Sequence, residues 1–173
     1  MLDEDIVEAA EQLMAICKRK NLLVATAESC TGGLVAGTLS EVPGVSSILD
    51  RGYVTYSNQA KHEMLGVSRE VLDRHGAVSR ETAEAMVRGV LGRSRVDLTV
   101  SVTGIAGPDG GSAEKPVGLV HFAAATRTGK LMHAEMRYGD IGRANVRKQS
   151  VLKAFLMLHE LAEGEAANPP PKA

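Results

Sequence analysis

Aromatic side chains are nearly missing from this chain: its 173 residues hold no Trp, two Phe and three Tyr. Few platforms remain on which unpaired bases could stack, which argues against single-strand binding. An excess of one charge is missing too, since 20 Lys and Arg face 21 Asp and Glu for a formal net charge of -1. A protein that neutralises many phosphates carries a basic footprint, so nucleic acid and anionic membrane are not expected partners. No run approaches the ~18 apolar residues that a bilayer-spanning helix needs. The N-terminal segment, MLDEDIVEAAEQLMAICKRK, mixes charge with apolar residues and lacks the apolar block of a signal peptide. Only two cysteines occur, Cys17 and Cys30, too few for a disulfide framework. A reducing, cytoplasmic location is expected. Metal chemistry lacks its usual marks: His62, His75, His121, His133 and His159 form neither H-E-x-x-H nor another close ligand pair. Neither a metal nor a cofactor is expected.

What is present fits one globular domain, with 44% hydrophobic and 24% charged residues over a length that can bury a full core. Ile6, Ala9, Ala10, Leu13, Ile16 and Cys17 recur at steps of three and four and predict a helix over 4–19. Leu22 to Thr26 reads as a strand, followed by a tight turn and then helical spacing at Leu34, Val35 and Leu39. Further strands are predicted over 48–56 and 97–102, with helices over 58–65 and 80–93, the latter with Ser79 as N-cap. The Gly- and Pro-rich stretch from Gly104 to Gly118 must be a shaped loop. Two strand-like runs, 117–126 and 131–138, flank a Gly-containing connection and predict an antiparallel hairpin. A last helix is predicted over 143–161. The expected fold is therefore a three-layer α/β/α sandwich on a mixed, mainly parallel sheet of about five strands that includes one antiparallel hairpin. A single domain should occupy 1–163, and the polar tail 164–173 should be disordered.

Ligands of open α/β folds gather where strand ends meet helix N-termini. Two loops suit that place. The turn Glu28-Ser29-Cys30-Thr31-Gly32-Gly33 offers three nucleophile candidates beside glycines that let a ligand approach the backbone. Ser29 or Thr31 could equally serve only as a helix cap. No G-x-S-x-G surrounds Ser29, so a Ser-His-Asp hydrolase is not indicated. The second segment, Arg51 to Lys61, sets Tyr56 and Lys61 across a strand end and a helix start. Lysine can replace histidine as the base for a serine when burial lowers its pKa, although an isolated helix lysine is more often solvated. The third segment, Thr103-Gly104-Ile105-Ala106-Gly107, follows a strand and could present amide donors to an anion. It lacks the Lys-Ser/Thr ending of a P-loop.

Four stretches, T-A-E-S-C-T-G-G at 26–33, R-G-Y-V-T-Y-S-N-Q-A-K at 51–61, G-I-A-G-P-D-G-G at 104–111 and K-P-V-G at 115–118, together resemble the CinA C-terminal domain family over roughly residues 5–162. The resemblance implies hydrolysis of the carboxamide of nicotinamide mononucleotide to nicotinate mononucleotide and ammonia, in pyridine nucleotide recycling. It further implies Ser29 as nucleophile, Tyr56 and Lys61 assisting proton transfer, and Arg147 holding the substrate phosphate. Cys30, Thr31, Gly32, Gly33 and the 103–107 loop would line the substrate site and supply oxyanion donors. The sequence departs from the family's commoner Gly-Asp-Arg pattern in reading Gly139-Asp140-Ile141-Gly142-Arg143, which leaves Arg143 without an assigned role. The N-terminal nucleotide-processing domain of many relatives is expected to be missing, because the chain starts about 25 residues before the Ser29 motif. The rival reading is a non-catalytic nucleotide-binding regulator linked to competence or DNA damage. A homodimer is expected only from the frequency of twofold oligomers.

Overall fold

The computed structural model describes residues 3–170. Five strands form one sheet in the order β2-β1-β3-β4-β5, where β1 is Val24–Glu28, β2 Leu49–Val54, β3 Leu98–Gly104, β4 Leu119–Thr126 and β5 Leu131–Arg137. β1 pairs in parallel with both β2 and β3, while β3-β4 and β4-β5 are antiparallel. Four strands thus share one direction and β4 alone opposes them, in accord with the mixed sheet expected from the sequence.

Helices cover both faces. On one face lie α1 (Glu4–Lys20), α2 (Leu34–Ser40) and α6 (Arg143–Gly164); on the other lie α3 (Asn58–Leu65), α4 (Arg69–His75) and α5 (Arg80–Arg93). Coverage on both sides explains why every residue of β1 is buried, polar Thr26 and Glu28 included. The larger core joins α1, α2 and α6 to Val24, Leu98, Val100, Val102, Phe122 and Phe155; a smaller one sets Met86 and Val90 of α5 against Ala25 and Ala27. Small alanines on that side of β1 let α5 approach closely.

Local chemistry fixes the helix ends. Ser57, Ser68 and Ser79 cap α3, α4 and α5, each hydroxyl accepting from an amide three residues on. The acidic start and the basic end of α1, Glu4-Asp5 and Lys18-Arg19-Lys20, both complement its dipole. α4 and a 3-10 turn at Val45–Ser47 are additions to the elements predicted from sequence. Within the stretch expected to be disordered, Asn168 donates from its amide nitrogen to Lys20 O (2.8 Å) and from its side chain to Asn21 O (3.1 Å) and Asp97 Oδ1 (3.0 Å). Lys20 in turn donates to the carbonyls of Ala162, Glu163 and Glu165 at the end of α6. Residues 171–173 lie outside the described residues.

Candidate active site

The chain leaves β1 for β2 through α2, then passes over β1 on the other face to reach β3. The crevice at the C-terminal ends of β1 and β3 is where such a sheet receives ligands. Ser29 sits there, one residue past β1, its amide donating to Val102 O of β3 (2.9 Å). Because strand residues point alternately to the two faces, Glu28 and Ser29 aim in opposite directions. Glu28 turns under α2, and Ser29 turns toward α3.

From α3, Lys61 meets it. Lys61 is completely buried, and its Nζ lies 2.9 Å from Ser29 Oγ, 2.8 Å from Thr55 O and 3.3 Å from Tyr56 O. Desolvation lowers its pKa from 10.5 to about 8, opposed by the Cys30 thiol, which favours the charged amine. A neutral amine has two hydrogens and one lone pair. The two carbonyls can only accept, so they fix the hydrogens and leave the lone pair to the Ser29 hydroxyl. This arrangement can take a proton from Ser29.

Ser29 opens onto a pocket of about 260 Å³. Cys30, Tyr56, Thr103, Gly104, Ile105, Ala106 and Gly107 of the expected site residues line it. Asp109 and Gly110 of the 104–111 stretch and Arg143 complete the walls with Ala77 and Val78, which no sequence signal had marked. Thr103 fixes one wall by donating from its hydroxyl to Ala77 O (2.7 Å). Cys30 is buried, and desolvation pushes its thiol up to about 11, so it is a poor nucleophile beside Ser29.

Tyr56, Thr31, Gly32, Gly33, Arg143 and Arg147 make contacts that the sequence does not specify. The Tyr56 hydroxyl, expected to assist proton transfer, accepts from Arg143 Nη2 (2.8 Å); it is the Tyr56 carbonyl that reaches Lys61. Arg143 also donates to Gly107 O (3.1 Å), so its guanidinium bridges two walls at the pocket mouth. Arg147, expected at the phosphate, donates to Thr31 O (2.9 Å) and so braces the Ser29 turn. Gly33 donates its amide to Glu28 Oε2 and Gly32 its amide to Ser29 O, so these two glycines shape the turn rather than line the pocket. Thr31 is fully buried.

Among the described residues no three His, Cys, Asp or Glu side chains gather as a metal site, and no helix is long and apolar enough to cross a membrane. A wider groove of about 540 Å³ at the opposite end of the sheet, bounded by Asp50, Arg51 and Arg93–Arg95, contains no serine paired with a base.

Comparisons with known proteins identify the family and the fold. The family model of the CinA C-terminal domain matches residues 6–162. The nicotinamide-nucleotide amidohydrolase PncC of Enterobacter agglomerans is 47% identical over 153 residues, 88% of this chain and 92% of that protein. A longer relative from Caldanaerobacter subterraneus, named as competence-damage inducible, is 46% identical over 160 residues; the match takes in 92% of this chain and only 38% of that protein. Among solved structures, the competence/damage inducible protein CihA from Agrobacterium tumefaciens superposes with a TM-score of 0.92 at 55% identity, covering 93% of this chain and 98% of that one. With the match running from the first helix through the last, the chain belongs to the CinA C-terminal domain family.

Proposed function

We propose that this protein hydrolyses the carboxamide of nicotinamide mononucleotide, giving nicotinate mononucleotide and ammonia, as a step of pyridine nucleotide recycling. The observation that carries the reading is the buried Lys61 Nζ at 2.9 Å from Ser29 Oγ, with the lysine's other two neighbours both carbonyls. A near relative named as a nicotinamide-nucleotide amidohydrolase supplies the substrate.

Ser29 Oγ attacks the carboxamide carbon while its proton passes to neutral Lys61. The carbonyl oxygen becomes an oxyanion, for which the amide of Cys30, without a backbone acceptor among the described residues, is the donor next to the nucleophile. The amide of Ala106, in the glycine loop that lines the same pocket, is the second candidate donor. Protonated Lys61 then delivers its proton to the leaving nitrogen, ammonia departs, and water cleaves the acyl-enzyme with Lys61 again as base. The substrate phosphate is assigned to Arg143, whose guanidinium lines the pocket that Ser29 opens onto.

The test is product analysis. Purified protein, pretreated with a chelator and given nicotinamide mononucleotide, should release ammonia and nicotinate mononucleotide in equal amounts. Binding without any release would contradict the reading and leave a nucleotide-binding regulator.

A further inference from the structure

Glu28 is the buried charge that the proposed mechanism does not use. Only 1% of it is exposed, and among the described residues no cation pairs with it. Its carboxylate is nevertheless fully engaged. Oε2 accepts from the amides of Gly33 (3.0 Å) and Val35 (3.0 Å); Oε1 accepts from the amide of Ala36 (2.9 Å) and from the Thr26 hydroxyl (3.1 Å). Two oxygens offer about four acceptor sites, and all four are taken. Three of the donors are amides at the start of α2, where the helix dipole also favours a negative charge.

Two features of the sequence motifs are explained by this contact. Thr26 and Glu28 are alternate residues of β1 and so share a face of the sheet. Gly52 is the register partner of Thr26 on β2, and a Cβ there would lie 3.0 Å from Thr26 Oγ1 and 3.1 Å from the Ala36 Cβ. Glycine at 52 leaves room for the hydroxyl that serves Glu28 and for the first turn of α2. Gly33 adopts φ +97, a conformation other residues rarely take, and its amide thereby reaches the carboxylate.

We infer that Glu28 is a positioning residue for Ser29: by tying the start of α2 back to β1, its carboxylate closes the 28–33 turn into a ring and holds the Ser29 hydroxyl at Lys61. The inference rests on the serine hydrolase reading above but not on the identity of the substrate. The same ring has a second effect. The amides at the start of α2 are occupied from within the chain, so that helix terminus does not receive the substrate phosphate. Cys30 and Thr31 are left as the amides of the turn without a backbone acceptor among the described residues.

Glu28→Gln is the direct probe, because an amide places hydrogens where two of the four donors already point. The full-length variant is compared with wild type by the rate at which a fluorophosphonate labels Ser29, in which the serine oxygen bonds to phosphorus, fluoride leaves and the proton passes to Lys61. Steady-state ammonia release from nicotinamide mononucleotide is measured beside it. Expected are a fall in labelling rate and kcat on the order of 10- to 100-fold, KM within about twofold, and a pH midpoint still near 8. Thr26→Val, which removes one donor and keeps the carboxylate, should lower kcat a few-fold in the same pattern and serves if Glu28→Gln does not fold. Wild-type labelling and kcat in the variants, or a displaced pH midpoint, would overturn the inference. Glu28-dependent labelling without ammonia release would retain it and reject the substrate; ammonia release at the wild-type rate in Glu28→Gln would do the reverse.

Discussion

Raising the pH should activate and stabilise this protein together, and both effects trace to Lys61. At pH 7 an amine with a pKa of about 8 is neutral in about one molecule in ten, against about one in three thousand at 10.5. Burial therefore makes the base about 300-fold more available at neutral pH. The sign of the stability effect follows from proton counts. Below about 8 both folded and unfolded chains hold the Lys61 proton, and the folded state bears the cost of a buried ammonium. Between about 8 and 10.5 the unfolded chain binds more protons, so stability rises with pH across that window, by about 3 kcal/mol in total. The perturbation is Lys61→Met, which keeps the length and deletes the titration. Ammonia release measured from pH 6 to 10 should climb to a plateau with a midpoint near 8 in wild type and lie about 100- to 10,000-fold lower in the variant. Urea unfolding of the two proteins, compared pH by pH, should show the wild type gaining stability relative to Lys61→Met between pH 8 and 10.5. A stability difference that stays flat over that window, with a rate still climbing at pH 10, would refute the burial argument.

Three further outcomes are expected. Arg143→Ala should raise KM about tenfold or more with a smaller change in kcat, since it removes a cation at the pocket mouth that binds ground and transition states alike; an unchanged KM in steady-state kinetics would move the phosphate elsewhere. Cys30, buried and with a thiol pushed up to about 11, should resist iodoacetamide at pH 8 and react only after unfolding, as read by mass spectrometry. Phe155→Ala should cost about 3–5 kcal/mol in urea unfolding, because the ring is fully buried in the larger core; a loss under about 1 kcal/mol would mean that the cavity collapses.

How much of this was legible in the sequence differs by element, for physical reasons. α6 and α5 declared themselves by long apolar periodicity and, for α5, the Ser79 cap. β1 was displaced, predicted at 22–26 and found at Val24–Glu28, because the apolar run starts at Leu22 whereas the strand ends on a buried polar residue, Glu28. That displacement hid Glu28: read as part of a turn it has no face, whereas as the last strand residue it must point under α2. α4 escaped prediction because seven residues with Leu72 as the one buried position make no pattern. Ser29 and Lys61 were both legible as candidates, but their contact spans 32 residues and depends on Lys61 being buried, which a single lysine in a polar helix does not reveal. Arg143 and Arg147 stand one turn apart on the same face of α6, and helical spacing alone does not separate the one that lines the pocket from the one that braces Thr31.

The most direct test of the central claim is Ser29→Ala, assayed for ammonia release from nicotinamide mononucleotide and for binding of the same nucleotide by calorimetry. The account predicts that binding persists within a few-fold while turnover disappears, since the methyl group leaves Arg143 and the glycine loop in place and removes only the attacking oxygen. Turnover at the wild-type rate in Ser29→Ala would contradict it and place the chemistry on another group.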